Sequence, residues 1–344
     1  MDLLRRLSEA HGLSGHEDAV CSIVRDELSR IGIGDVRTDV LGNVIAHVPG
    51  DGRRVVITAH MDEVGFLVKA IEKDTGFLRV HRVGGGDPRA LSATRMVVHS
   101  ARGEIVACTG IHPINIITTE DARRPLEWND FYVDTGLESV EVHSRVRVGD
   151  PITAHQTLFI GEGTISGKAL DDRIGVYACL RALEQVRNPR CDLYFVATVQ
   201  EEVGLRGAQV AGFALKPDIA VAIDVTTAAD LPGIDKTRAV THLGDGVAIK
   251  LADKRTLTHP KINCFLVGLA DREGIPWQYE ILPGGGSDAG ALQLAQQGAA
   301  VAGLDVPLRY CHSPVELAHQ RDVQATVDLL RRFLEHIDEI DLAG

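Results

Sequence analysis

The chain has no block of basic residues, no paired cysteines and no apolar run long enough to cross a bilayer. Each absence removes a class of function. Its 36 Lys and Arg are scattered among 48 Asp and Glu, leaving a net charge of −12. Binding a phosphate backbone requires clustered cations, so nucleic acid is not an expected partner. The six cysteines, Cys21, Cys108, Cys179, Cys191, Cys264 and Cys311, fall singly, mostly inside apolar segments, with neither CxxC pairs nor the spacing of a secreted scaffold. They read as reduced, mostly buried thiols. The opening Met1-Asp2-Leu3-Leu4-Arg5-Arg6 begins no leader-like apolar stretch. The expectation is a soluble cytoplasmic protein with no membrane partner. Neither an internal repeat nor a low-complexity segment is found.

What is there suffices for a sizeable core: 344 residues, 44% of them apolar, which is room for one large domain and a smaller one. Leu3, Leu4 and Leu7 make one face of a short helix. Ser14-Gly15-His16-Glu17 has capping-box spacing for a second helix, which turns Ala19, Val20, Ile23, Val24 and Leu28 inward. Val36–Val40 and Val44–Val48 flank Leu41-Gly42-Asn43 as two strands joined by a tight turn. Val55 to His60 is apolar on both faces, the mark of a buried strand in an α/β sheet. From about Phe66 helical periodicity gives way to β-rich pieces, among them Phe77–Val80, Thr94–Val98, Ile105–Cys108 and Val140–Val142, until about Phe159. Gly161-Glu162-Gly163 then marks a return to the first domain. The division is therefore 1–65 plus 161–344 for an α/β domain and 66–160 for an inserted β-rich domain. Beyond it, strands at Leu193–Val199, Ile219–Ile223, Tyr279–Leu282 and Ala300–Leu304 alternate with helices, including Asn263–Arg272, Ser287–Gln297 and a long amphipathic one at the end.

Acids and imidazoles recur at the ends of these apolar strands. His60, Glu202 and Asp224 each follow one, where open α/β sheets place ligands and catalytic groups. Lys168-Ala169-Leu170-Asp171-Asp172-Arg173 opens an apolar helix, and His312 lies in Tyr310-Cys311-His312-Ser313-Pro314. Each motif has a plainer reading alone: Asp171 and Asp172 favour the positive end of a helix dipole, Glu201-Glu202 suits a solvated strand end, and Asp224 suits a cap or turn. Taken together, the plainer readings give no reason for ligand-type residues to recur at neighbouring strand ends. Carboxylates and imidazoles without clustered thiolates suit Zn²⁺, Co²⁺ or Mn²⁺, and a carboxylate such as Asp171 can bridge two cations. His11, His16, His47, His99, His155, His259, His319 and His336 lack this setting and are left as structural.

Over nearly its whole length the sequence resembles the M42 metallo-aminopeptidases, which include the tetrahedral (TET) and glutamyl aminopeptidases. The resemblance rests on Ala59-His60-Met61-Asp62-Glu63-Val64-Gly65, Lys168–Arg173, Gln200-Glu201-Glu202-Val203-Gly204, Asp224, Gly285-Gly286-Ser287-Asp288-Ala289 and Tyr310–Pro314. It departs at Ser287, where Thr is expected in many relatives. The resemblance implies a zinc-peptidase-like α/β/α catalytic domain with a PDZ-like or barrel-like insert that mediates assembly of a homo-oligomer, a dodecamer built from dimers. It implies two divalent metal ions per subunit, Zn²⁺ or Co²⁺ with Mn²⁺ also compatible. His60, Asp171 and Asp224 would hold one, and Asp171, Glu202 and His312 the other. Asp62 would orient His60, Glu201 would be the general acid/base, and the substrate would be the N-terminal bond of oligopeptides. Gly285, Gly286, Ser287 and Asp288 offer close backbone approach to substrate, or simply a strand-to-helix turn with Ser287 or Asp288 as its cap. Two other functions fit the same residues: a metal-dependent deacylase or amidohydrolase, and an assembly protein whose metal is purely structural. The spare carboxylate of the Glu201-Glu202 pair speaks against the second, since a structural site needs no base.

Overall fold

The computed structural model describes residues 1–342. Strands Asp192–Thr198, Arg54–His60, Ile219–Thr227 and Ala300–Arg309 lie side by side and parallel at the centre of a sheet that has eleven strands among the described residues. They are apolar on both faces because both faces are covered. Val55, Ile57 and Ala59 join one core, with helices Asp18–Arg30, Leu170–Gln185, Pro260–Glu273 and Gln320–His336. Val56, Val196, Ala220, Ala222 and Val301 join a second on the opposite face, under helices Arg206–Leu215 and Asp288–Leu292. Alternate residues of one strand thus feed two cores, and the result is an α/β/α sandwich.

Strands Gly65–Ile71, Leu78–Val83, Arg95–Ser100, Gly103–Gly110, Tyr132–Asp134 and Pro151–Ala154 close into a barrel. Its core is separate and includes Phe66, Val68, Met96, Val98, Phe131, Val133 and Ile152. The next strand, Phe159–Ile160, pairs with Thr164–Gly167 at the edge of the large sheet. Among the described residues no helix is long and apolar enough to cross a membrane.

Several sequence expectations change. Val140–Val142 lies in the helix Ser139–Arg145: Val142 and Val146, four apart, are buried, whereas Val140 is exposed, so the helical period outweighs the two-residue alternation. The second helix starts at Asp18 without a capping box, because both expected capping side chains are used elsewhere. Ser14 Oγ donates to Asp62, and Glu17 Oε1 accepts from the amides of Gly15 and Gln200. Ala19 is exposed. Strands Val247–Ala252 and Glu316–His319 and helix Arg206–Leu215 carry no expectation from the sequence, and the helix expected at Ser287–Gln297 is regular only over Asp288–Leu292.

Candidate active site

The register of the parallel strands sets the first residues of the site. His60, the last residue of its strand, pairs with Thr198, the last of the neighbouring one. The chain after Thr198 then has to turn sharply. Gln200 has φ +55° and Leu205 φ +59°, and between them the amides of Gly204 and Leu205 close on Glu201 O. Neighbours on an extended strand point apart, and this turn is what lets Glu201 and Glu202 face one cleft. The Asp62 carboxylate holds it, accepting from Ser14 Oγ at 2.6 Å and from the amides of Glu201 and Glu202 at 2.9 and 3.1 Å. Towards His60 it offers a looser contact: Nδ1 is 3.2 Å from the Asp62 backbone carbonyl and 3.4 Å from Oδ1. Asp62 therefore shapes the glutamate loop as much as it orients the imidazole.

Asp171 stands in the middle. Its Oδ1 is 3.0 Å from His60 Nε2, and its Oδ2 is 3.2 Å from His312 Nε2. Glu202 Oε1 is 2.9 Å from the same His312 nitrogen, and Asp224 Oδ1 is 4.0 Å from His60 Nε2. The expected ligands are thus together, with Asp171 between two imidazoles. Asp172 is close too, but both its oxygens are taken by backbone, Oδ2 by the amide of His60 and Oδ1 by that of Gly175, so it ties the helix start to the strand end. A peptide in the cis form joins Asp171 to Asp172. On either side of the pair, buried Lys168 and Arg173 clamp Glu63: Lys168 Nζ lies 2.8 Å and Arg173 Nη2 3.6 Å from Glu63 Oε1. Those motif residues are structural.

Two contributors are missed by sequence reasoning. Glu316 is buried and carries both backbones of the second half of the site: Oε2 accepts from the Asp171 amide at 3.1 Å and Oε1 from the His312 amide at 2.8 Å. Burial and then the charge of Asp171 push its carboxyl up to about 8. The signal was a lone acid in the alternating strand Glu316–His319, whose side chain faces inward. The other is Lys250, buried behind Asp224, with Nζ 2.8 Å from Asp305 and 3.4 Å from Glu280. These three come from separate strands, and only the sheet brings them together.

The cleft over the site encloses about 560 Å³ and is lined by His60, Asp171, Glu201, Glu202, Asp224 and His312. Gly284, Gly285 and Gly286 also line it. Ser287 and Asp288 do not: both are buried, and Asp288 Oδ2 accepts from Thr198 Oγ1 at 2.6 Å. Ser287 precedes the helix as its N-cap residue without a side-chain cap bond. From the insert Gly85 also lines the cleft, and a Cβ there would lie 3.0 Å from His312 Cε1.

Charge decides what this arrangement can hold. Burial pushes up the carboxyls of Asp172, Asp224 and Glu201, and neighbouring carboxylates add to it, Asp224 for Asp172, Asp171 for Asp224, and Asp224 and Glu202 for Glu201; His60 opposes the rise in all three. Two imidazoles do not balance that much negative charge in a buried site. Divalent cations would. Ligand atoms of His60, Asp171 and Glu202 lie within 4.8 Å of one another, as do those of His60, Asp172 and Asp224 and those of Asp171, Cys311 and His312. The donor set is one that Zn²⁺, Co²⁺ and Mn²⁺ accept.

An α/β/α sandwich with this carboxylate and imidazole cluster at the carboxyl ends of its central strands defines a metal-dependent hydrolase. More narrowly, the chain belongs to the M42 glutamyl aminopeptidase family of peptidases, whose profile matches residues 42–329. A lysyl aminopeptidase from Pyrococcus furiosus is 36% identical over 99% of this chain and 98% of its own. Among solved structures, a TET aminopeptidase from a marine-sediment thaumarchaeon is 32% identical with a TM-score of 0.95, covering 98% of this chain and 96% of its own. The TET1 peptidase of Pyrococcus horikoshii, described as able to assemble into a tetrahedron or a large octahedral shell, is 28% identical with a TM-score of 0.86 over 97% of this chain and 98% of its own.

Proposed function

We propose that this chain is a binuclear aminopeptidase that removes the N-terminal residue of oligopeptides. The observation that carries the reading is the double-sided contact of Asp171, one oxygen facing each imidazole. His60, Asp171 and Asp224 would hold one divalent cation, and Asp171, Glu202 and His312 the other, Zn²⁺ and Co²⁺ being first choices and Mn²⁺ a compatible third. When bound, such a pair supplies Lewis acidity toward water and toward the scissile carbonyl.

The chain's own residues do the rest. Glu202 is committed to His312 by their 2.9 Å contact, whereas the Glu201 carboxylate faces the cleft without a hydrogen-bond partner among the described residues. This open position supports Glu201 as the group that would take a proton from the attacking water and return it to the leaving amine. Its buried setting favours the protonated carboxyl, which strengthens it as a base. Asp62 keeps both glutamates in place through their amides. The glycines at 284 to 286 let a peptide backbone lie close to the wall. An acidic cleft favours a free α-ammonium group over a blocked terminus, which suits an aminopeptidase better than a deacylase.

For the barrel we propose self-assembly, with a dodecamer built from dimers as first choice and a dimer as the alternative. The TET1 likeness supports this, as do Ile114 and Ile116, which stand 79% and 73% exposed in the insert. All six cysteines are free, which fits a reducing cytoplasm, but only Cys179 and Cys191 are buried, so the expectation of mostly buried thiols does not hold. The test of the activity is a panel of free and N-acetylated oligopeptides given to chelated protein and to protein reloaded with Zn²⁺ or Co²⁺. Turnover of free peptides by reloaded protein alone is expected. Activity in rigorously metal-free protein, or preference for acetylated substrates, would overturn the reading.

A further inference from the structure

One reactive group in the cleft has no part in the hydrolytic scheme, the thiol of Cys311. The residue is exposed to the cleft, yet its Sγ turns inward and donates to Asp171 Oδ2 at 2.9 Å. That is the same oxygen that faces His312 Nε2 at 3.2 Å. Adjacent side chains normally diverge. Here Tyr310 and His312, on either side of Cys311, have φ +61° and +60°, and the curled backbone brings the side chains of 311 and 312 onto one carboxylate. Ligand atoms of Asp171, Cys311 and His312 lie within 4.8 Å of one another, the same spacing found for His60, Asp171 and Glu202. None of the other five cysteines lines the cleft.

We propose that Cys311 is an additional ligand to the cation held by Asp171, Glu202 and His312, and that it biases this position toward thiophilic ions such as Zn²⁺ over Mn²⁺. The proposal rests on the two-cation reading and extends it. The S–H proton now lies between Sγ and Asp171 Oδ2, the side on which a shared cation would sit. Ligation exchanges that proton for the cation, the proton passes to solvent, and no electron changes hands. Carboxylate and imidazole donors already bind Zn²⁺ more tightly than Mn²⁺, and a soft thiolate widens that preference.

Cobalt reports directly on the ligand, because thiolate coordination to Co²⁺ gives an intense near-ultraviolet charge-transfer band that carboxylate and imidazole do not. Chelated full-length protein titrated with Co²⁺ should bind two ions per chain and develop this band. Cys311→Ser should bind two ions without it, and in Zn²⁺/Mn²⁺ competition should lose about 10-fold or more of the preference for Zn²⁺. Two bound Co²⁺ with no such band in the wild-type protein would overturn the ligand role and leave the binuclear site standing. A band that survives in Cys311→Ser would also overturn it, by assigning the thiolate to another cysteine. No Co²⁺ binding at all would overturn the binuclear reading, and this proposal with it.

Discussion

Glu201 and Glu202 share a side-chain type and a backbone anchor, and differ only in what their carboxylates meet. Glu202 meets His312 at 2.9 Å; Glu201 meets the open cleft. Glu201→Gln keeps size and hydrogen-bonding capacity but cannot take a proton, so turnover should fall by about 10²–10⁴-fold while the metal content stays unchanged. Glu202→Gln replaces an anionic oxygen with a weak neutral donor, so its second cation should bind loosely and activity should partly return at high metal concentration. Atomic-emission metal analysis beside kinetics distinguishes them. Metal loss in Glu201→Gln with full retention in Glu202→Gln would reverse the two roles. Of the side chains that gather around Asp171, His60, Glu202 and Asp224 were legible because each follows an apolar run that marks a strand, whereas His312 was legible only through the resemblance carried by Tyr310–Pro314. Glu316 and Lys250 were not, since one works through backbone amides and the other through acids brought near by sheet pairing. Neither relation leaves a local pattern.

Elements were legible where burial is two-sided or strictly periodic. The central strands and the helix Gln320–His336 meet that condition. The valines of Val140–Val142 do not, because two apolar residues two apart satisfy a strand and half-satisfy a helix. Beside the parallel core, strand Val44–Val48 pairs antiparallel with Asp192–Thr198, and His47 fastens the pair. Its Nε2 is 2.7 Å from Asp192 and its Nδ1 3.0 Å from Asp35, while its ring stacks on Tyr194 at 4.2 Å. Partial burial disfavours the charged ring, but the hydrogen bonds to Asp192 and Asp35 outweigh it and raise the pKa above the ordinary 6.5. A raised folded-state pKa adds stability that is fully present below about 6.5 and is lost as pH rises through the folded value. Urea midpoints of wild type and His47→Gln should therefore differ more at about pH 5.5 than at about pH 8.5. The stack with Tyr194 is lost at both, so the difference between the two gaps isolates the charge. Equal gaps would show that His47 contributes through packing alone.

At the scale of the whole molecule, the insert has its own core and the sheet has three, and the expected division of the chain rests on where helical periodicity stops and resumes. Closure of the insert into a barrel was implied only by the family resemblance and not by periodicity, because closure depends on which strands pair and not on how apolar each one is. If the insert builds an assembly, light scattering at low protein concentration should report twelve copies, or two, of a 37.1 kDa chain. A stable monomer with full activity would refute that role. The position of Gly85 against His312 carries a different consequence. The barrel leaves the sheet at Gly65, just after His60 and Asp62, and returns a loop to line the same site. The two units are therefore not interchangeable parts. Excising residues 66–154 would not yield a minimal peptidase, since it would remove the glycine loop that lies against His312, and a borrowed barrel would have to bring a loop that ends in as little bulk at that point.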